Sequence, residues 1–159
     1  MQETVNESYI DNKIAIATEG FTFPHHANRL KNLCSRENAL SIAEFLLDCK
    51  VHGLGITAMQ DSTFTLCKLS DNVKKSFNSF TREDNLSYLD HHRKTDAEDP
   101  THKWVGTYNL RLVHIQKFFK WFGNTDCIQN IPQLKRKEVS KYSPSDLWTA
   151  EDNIVFLRY

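Results

Sequence analysis

The chain of 159 residues carries no excess of charge of either sign. Twenty Lys and Arg balance twenty Asp and Glu, which argues against a histone-like polycation or an acidic disordered tail. Glycine and proline are scarce, five and four, too few for a collagen-like or low-complexity chain. No stretch approaches the roughly 18–20 consecutive apolar residues of a membrane span, so no membrane partner is expected. The opening MQETVNESYIDNK lacks a basic segment followed by an apolar run, so a signal peptide is not expected and a cytoplasmic location is the default. Cys34, Cys49, Cys67 and Cys127 lie far apart, with no C-x-x-C and no His/Cys pair at zinc-finger spacing. They are expected to be small buried hydrophobes, and no metal or other cofactor is expected. What the chain does have is a 40% hydrophobic fraction, enough for one compact core.

The balanced total hides an uneven distribution. Residues 1–34 hold 3 basic and 4 acidic groups (−1), residues 35–102 hold 8 and 11 (−3), residues 103–141 hold 8 and 2 (+6), and residues 142–159 hold 1 and 3 (−2). A block of +6 within a neutral protein is a local field. Its cations are interleaved with Trp104, Tyr108, Phe118, Phe119, Trp121 and Phe122. That pattern suits a polyanion: charges meet phosphates while aromatics fix the helix that carries them. A solvated basic helix beside a basic linker would give the same composition.

Helical periodicity organises most of the chain. Residues 1–34 show no sustained period, and Gly20, Pro24 and the polar start suggest an N-terminal arm, with one or two helical turns at 27–33. The first strong helix begins behind Ser35, an N-cap residue, and repeats Ala39, Ile42, Leu46 and Cys49 before Gly53 ends it. A second helix is predicted over about 61–70, weakened by Thr63 and Thr65. A third opens at Thr81, where Asp84 approximates a capping box. Residues 91–103 read as a polar loop. The fourth helix, from about 105 to 122, places Tyr108, Leu112, Ile115, Phe119 and Phe122 on one stripe and Leu110, Val113 and Trp121 on the far side, the pattern of a helix central to a bundle. Residues 124–147 carry two prolines and a basic cluster without a period, and read as a basic linker. Thr149 then caps a further apolar helix over 148–159 that reads as the opening of another domain. No strand signal competes, so the expected fold is all-α, a small four-helix bundle over residues 35–123.

The segments RENALSIAEFLLDCK (36–50), TREDNLSYLDHHRK (81–94) and KWVGTYNLRLVHIQKFFKWF (103–122) resemble the amino-terminal core-binding (SAM-like) domain of tyrosine recombinases, the phage-integrase family. The likeness is carried above all by Thr107, Arg111, Leu112, Lys117, Phe118, Phe119 and Trp121. It is closest to archaeal integrase-like proteins, with an IPQLKRKE-type linker (131–138) and a Pro-Ser-Asp-Leu-Trp-Thr segment (144–149) leading towards the catalytic domain. It covers roughly residues 27–159. The resemblance implies a module forming one half of a clamp around double-stranded DNA, with DNA integration and recombination as its setting.

The family's catalytic set is an Arg, a hairpin Lys, a His-x-x-Arg pair and a Tyr nucleophile that forms a 3′-phosphotyrosyl link. Its place lies downstream of Tyr159. The only His-x-x-Arg here, His26 to Arg29, lies far upstream of where the family has that pair, and neither Tyr142 nor Tyr159 has a surrounding constellation. The expectation is therefore no catalytic residue, no enzyme activity and no small-molecule substrate in this chain. Binding remains, and phosphate contacts should dominate it. The candidate DNA-binding residues are Lys103, Arg111, Lys117, Lys120, Lys135, Arg136 and Lys137, with Lys68, Lys74 and Lys75 in a secondary tier; Arg111, at the flank of the apolar stripe, is equally placed to pair with an acid of a neighbouring helix. Half a clamp should bind in the roughly micromolar, mostly non-specific range. The alternative is a protein-interaction bundle that associates with other recombinase protomers without touching DNA. The pairs His25–His26 and His91–His92 are not expected to hold metal, and the aromatic run 118–122 is expected in the core rather than stacked on bases.

Overall fold

The computed structural model describes residues 7–135. Six helices follow one another: α1 Glu7–Ala17, α2 His25–Leu33, α3 Arg36–Val51, α4 Ile56–Val73, α5 Arg82–Asp90 and α6 Lys103–Phe122. Two single 3₁₀ turns, Phe77–Ser79 and Asp126–Ile128, fill the remaining corners. The architecture is all-α, and no strand occurs among the described residues.

The four expected helices are present with clear local causes. Ser35 Oγ accepts a hydrogen bond from the Asn38 amide at the start of α3. At its other end the Gly53 amide donates to Lys50 and the Leu54 amide to Cys49, with Gly53 at φ +76°, the pairing of a Schellman motif. The second helix, α4, runs beyond the expected 61–70 at both ends. Its threonines do not break it because the Thr63 and Thr65 hydroxyls donate back to the Met59 and Asp61 carbonyls. Thr81 and Asp84 form a reciprocal capping box at α5.

The expected N-terminal arm is instead two docked helices. Ile10, Ile14 and Ala17 lie at four- and three-residue steps and are buried against α3. Basic residues of α3 grip both ends of α1: Arg36 reaches the Glu7 carbonyl and Asp11, and Lys50 Nζ donates to the carbonyls of Ile16 (2.7 Å) and Glu19 (3.1 Å). Three buried residues in an 11-residue helix make too short a stripe to read as sustained, which is why the sequence suggested an arm.

The core is closed by aromatics. Phe77 sits among Phe80, Phe118 and Phe119, with ring centroids 4.7–5.7 Å away, and Phe45 meets Phe118 edge-on. Phe118 and Phe119 are therefore core residues, as their spacing suggested. All four cysteines are free and buried. One sequence reading of α6 changes. Its far side is partly open to solvent, with Leu110 45% and Trp121 38% exposed, although the Trp121 ring still meets Phe45 and Phe118.

Candidate nucleic-acid interface

Helix α6 carries four cations and no acid across twenty residues. Its inner stripe, Tyr108, Leu112, Ile115 and Phe119, is buried and fixes which way the helix is turned. Gly106, Leu110, Val113, Lys117 and Lys120 then fall within about a quarter turn of one another on the outside. All but the half-buried Val113 are exposed. Lys103 is exposed in the first turn, about 21 Å along the axis from Lys117.

The start of the expected linker belongs to this face. Cys127, Ile128 and Ile131 are buried, and the Arg82 guanidinium and Asn85 amide fasten residues 127–130 to α5 through backbone carbonyls. The chain then runs back along α6. Gln116 Nε2 approaches the Ile131 carbonyl, and Asn109 clasps Leu134 twice, Nδ2 donating to its carbonyl and Oδ1 accepting from its amide, both at 2.8 Å. This strap sets Lys135, which is exposed, beside the amino-terminal half of α6. Among the described residues, no carboxylate lies within ion-pair distance of Lys103, Lys117, Lys120 or Lys135.

Arg111 is separated from these lysines. It points into the seam with α4, donating from Nη1 to Thr65 Oγ1 at 2.8 Å and lying 4.6 Å from the Phe64 ring centroid. Its neighbour is thus a hydroxyl and a ring, not an acid. Arg29 of α2 lies 4.7 Å from the same ring. The candidate set therefore divides: Lys103, Lys117, Lys120 and Lys135 line the outer side, Arg111 lies in the seam, and Arg136 and Lys137 fall outside the described residues. Of the secondary tier, Lys68 and Lys74 are exposed, while Lys75 is spent on Asp84 at 3.0 Å.

The field of the seam is read by its histidines. Burial holds His92 below the usual histidine range, and the charge of Arg111 lowers it further. His114 is lowered chiefly by burial; Asp61 pulls it back upward, and Arg111 and Lys117 lower it by smaller amounts. Its Nδ1 lies 2.8 Å from Ser62 Oγ. His26 is lowered by burial, then by His25 and Arg29, again against Asp61. The rings of His25 and His26 lie tilted with centroids 4.4 Å apart, and no group of three His, Cys, Asp or Glu among the described residues is arranged to hold a metal ion.

At the amino-terminal end of α6 a pocket of about 440 Å³ is lined by His92, Lys94, Lys103 and Trp104. Its acids are engaged locally. Asp99 accepts from the Trp104 amide at 2.9 Å, and Glu98 from the Thr95 amide at 2.8 Å.

No family model, curated protein or solved structure matches this chain. Sequence reasoning missed Arg29 and Phe64. Arg29 lay in the segment read as an arm. Phe64 was one apolar position in a helix whose neighbours Thr63 and Thr65 are buried, leaving its own ring half exposed.

Proposed function

We propose that this chain binds duplex DNA as the core-binding module of an integrase-like tyrosine recombinase. The observation that carries the reading is the acid-free α6, with Lys117 and Lys120 on one solvent-facing side, Lys103 at its start, and Lys135 strapped alongside, all without carboxylate partners among the described residues. Unpaired lysines on a rigid helix meet backbone phosphates without first losing an ion pair, and the release of condensed counterions drives the association. Lysines act there as point charges, so the contacts position the protein and carry little base information. The resemblance of residues 103–122 and 131–138 to the recombinase family supplies the biological setting.

An electrophoretic shift of a labelled duplex across a salt series tests this. Binding should be in the roughly micromolar range and weaken steeply with salt, with a log–log slope of several units. The K117Q/K120Q double variant should lower that slope by about two while the far-ultraviolet spectrum stays helical. Absence of any shift at about 50 mM salt overturns the reading. The exposure of Leu110 and Trp121 on the same helix favours a second reading, association with an intact recombinase. Salt-insensitive capture of that partner by a chain that shifts no duplex would select it.

A further inference from the structure

Two arginines from helices far apart in sequence converge on one aromatic ring. Arg29 of α2 and Arg111 of α6 lie 4.7 and 4.6 Å from the centroid of Phe64, a residue of α4, the helix that packs against both. Two like charges held within about 10 Å of each other repel, and a carboxylate between them would offset that repulsion. Here neither guanidinium has one at ion-pair distance among the described residues. Asp61, the acid that His26 and His114 sense, makes no ion pair with either.

The donors are also undersubscribed. A guanidinium offers five N–H groups in a planar fork. Arg111 commits Nη1 to Thr65 Oγ1 and lies over the ring. Arg29 lies over the ring and makes no side-chain hydrogen bond among the described residues. A guanidinium lying over a ring can still offer N–H groups at its edge, the fork with which arginine grips phosphate in a bidentate manner. Both side chains are half-buried, so part of the desolvation cost is already met before a ligand arrives. Lys68, one turn beyond Phe64 on α4, is exposed and extends the positive field.

We infer that Arg29 and Arg111, held on the Phe64 ring, form a phosphate-binding site that bridges α2 and α6 across α4. Under the function proposed above, its ligand is a backbone phosphate of the bound duplex. The site is separate from the outer lysines and makes α2 part of the binding surface. That last step rests on the DNA-binding reading; the affinity for a phosphate group does not.

Two measurements keep these apart. The first is a titration of the full chain with inorganic pyrophosphate, followed through the arginine Nε–Hε resonances and the aromatic signals of Phe64. Saturable shifts at Arg29 and Arg111 are expected, and the shift at Arg111 should vanish in R29Q, a change that preserves helix propensity. The second is the duplex salt series with R29Q and R111K. R29Q should lose about one unit of slope and bind several-fold more weakly. R111K, which keeps the charge but not the fork, should retain most of the slope and lose affinity. Pyrophosphate shifts with impaired duplex binding by R29Q support the site as a DNA contact. Shifts at both arginines with unimpaired duplex binding overturn the assignment of its ligand as DNA. No saturable shift at either arginine overturns the site itself, whatever the duplex series shows. A wild-type chain that shifts no duplex overturns the DNA reading, and the pyrophosphate arm alone then judges the site.

Discussion

His114 shows how a single side chain can tie stability to pH. It is buried between α4 and α6, with Nδ1 on Ser62 Oγ and Nε2 without a partner among the described residues. Burial disfavours its charged form, Asp61 opposes that in part, and Arg111 and Lys117 add smaller contributions to the lowering. His26 and His92 are displaced in the same direction by burial. A histidine whose folded pKa lies below its unfolded value binds fewer protons when folded. Stability is then full above the unfolded value of about 6.5 and falls as pH drops through it towards the folded value. Urea unfolding should therefore show a lower midpoint at about pH 5.5 than at about pH 7.5, and H114Q should reduce the difference. An unchanged midpoint across that range would mean the three rings titrate normally. Asp84, whose carboxyl is held below its usual range by the Thr81 amide and Lys75, does not interfere, because its contribution is lost only at more acid pH.

Elements, unlike single residues, were largely legible. Ser35, Gly53, Thr81, Asp84 and Gly123 mark helix ends in the sequence and make the capping contacts those types make. Such contacts have measurable worth. T81A removes the acceptor for the Asp84 amide and should cost about 1 kcal/mol in chemical denaturation. G53A meets no atom within 4 Å, so its cost comes from the positive φ alone, again about 1 kcal/mol. A loss well beyond that would mean that the turn into α4 rearranges. Legibility failed for α1 and for residues 126–134. The α1 stripe is three residues long, below what a periodicity reading separates from chance. The strap buries Ile131 from an extended chain and is held by side chains of α5 and α6, so its order is a tertiary property with no local pattern. The same reason hid the seam. Arg29 and Arg111 are 82 positions apart and meet only because α4 lies between their helices.

At the scale of the whole molecule, the strap decides how much of the positive charge acts together. Residues 131–134 follow the last 3₁₀ turn and run antiparallel to α6, and the two hydrogen bonds between Asn109 and Leu134 are their final fastening among the described residues. It places Lys135 beside a helix that already presents Lys103, Lys117 and Lys120. A free chain at that point would lose conformational entropy on meeting a polyanion; a fastened one has largely lost it in folding. N109A tests this directly. It removes both hydrogen bonds from a half-buried position while leaving the buried stripe of α6 intact, so global stability should fall by only about 1 kcal/mol. The Leu134 amide should exchange with solvent about tenfold faster or more, since the Asn109 Oδ1 acceptor is lost. Under the DNA-binding reading, duplex affinity should fall several-fold with the salt slope nearly unchanged, because the lysines remain and only their placement is released. Faster exchange at Leu134 with unaltered duplex affinity would show that the strap orders the chain without serving the interface.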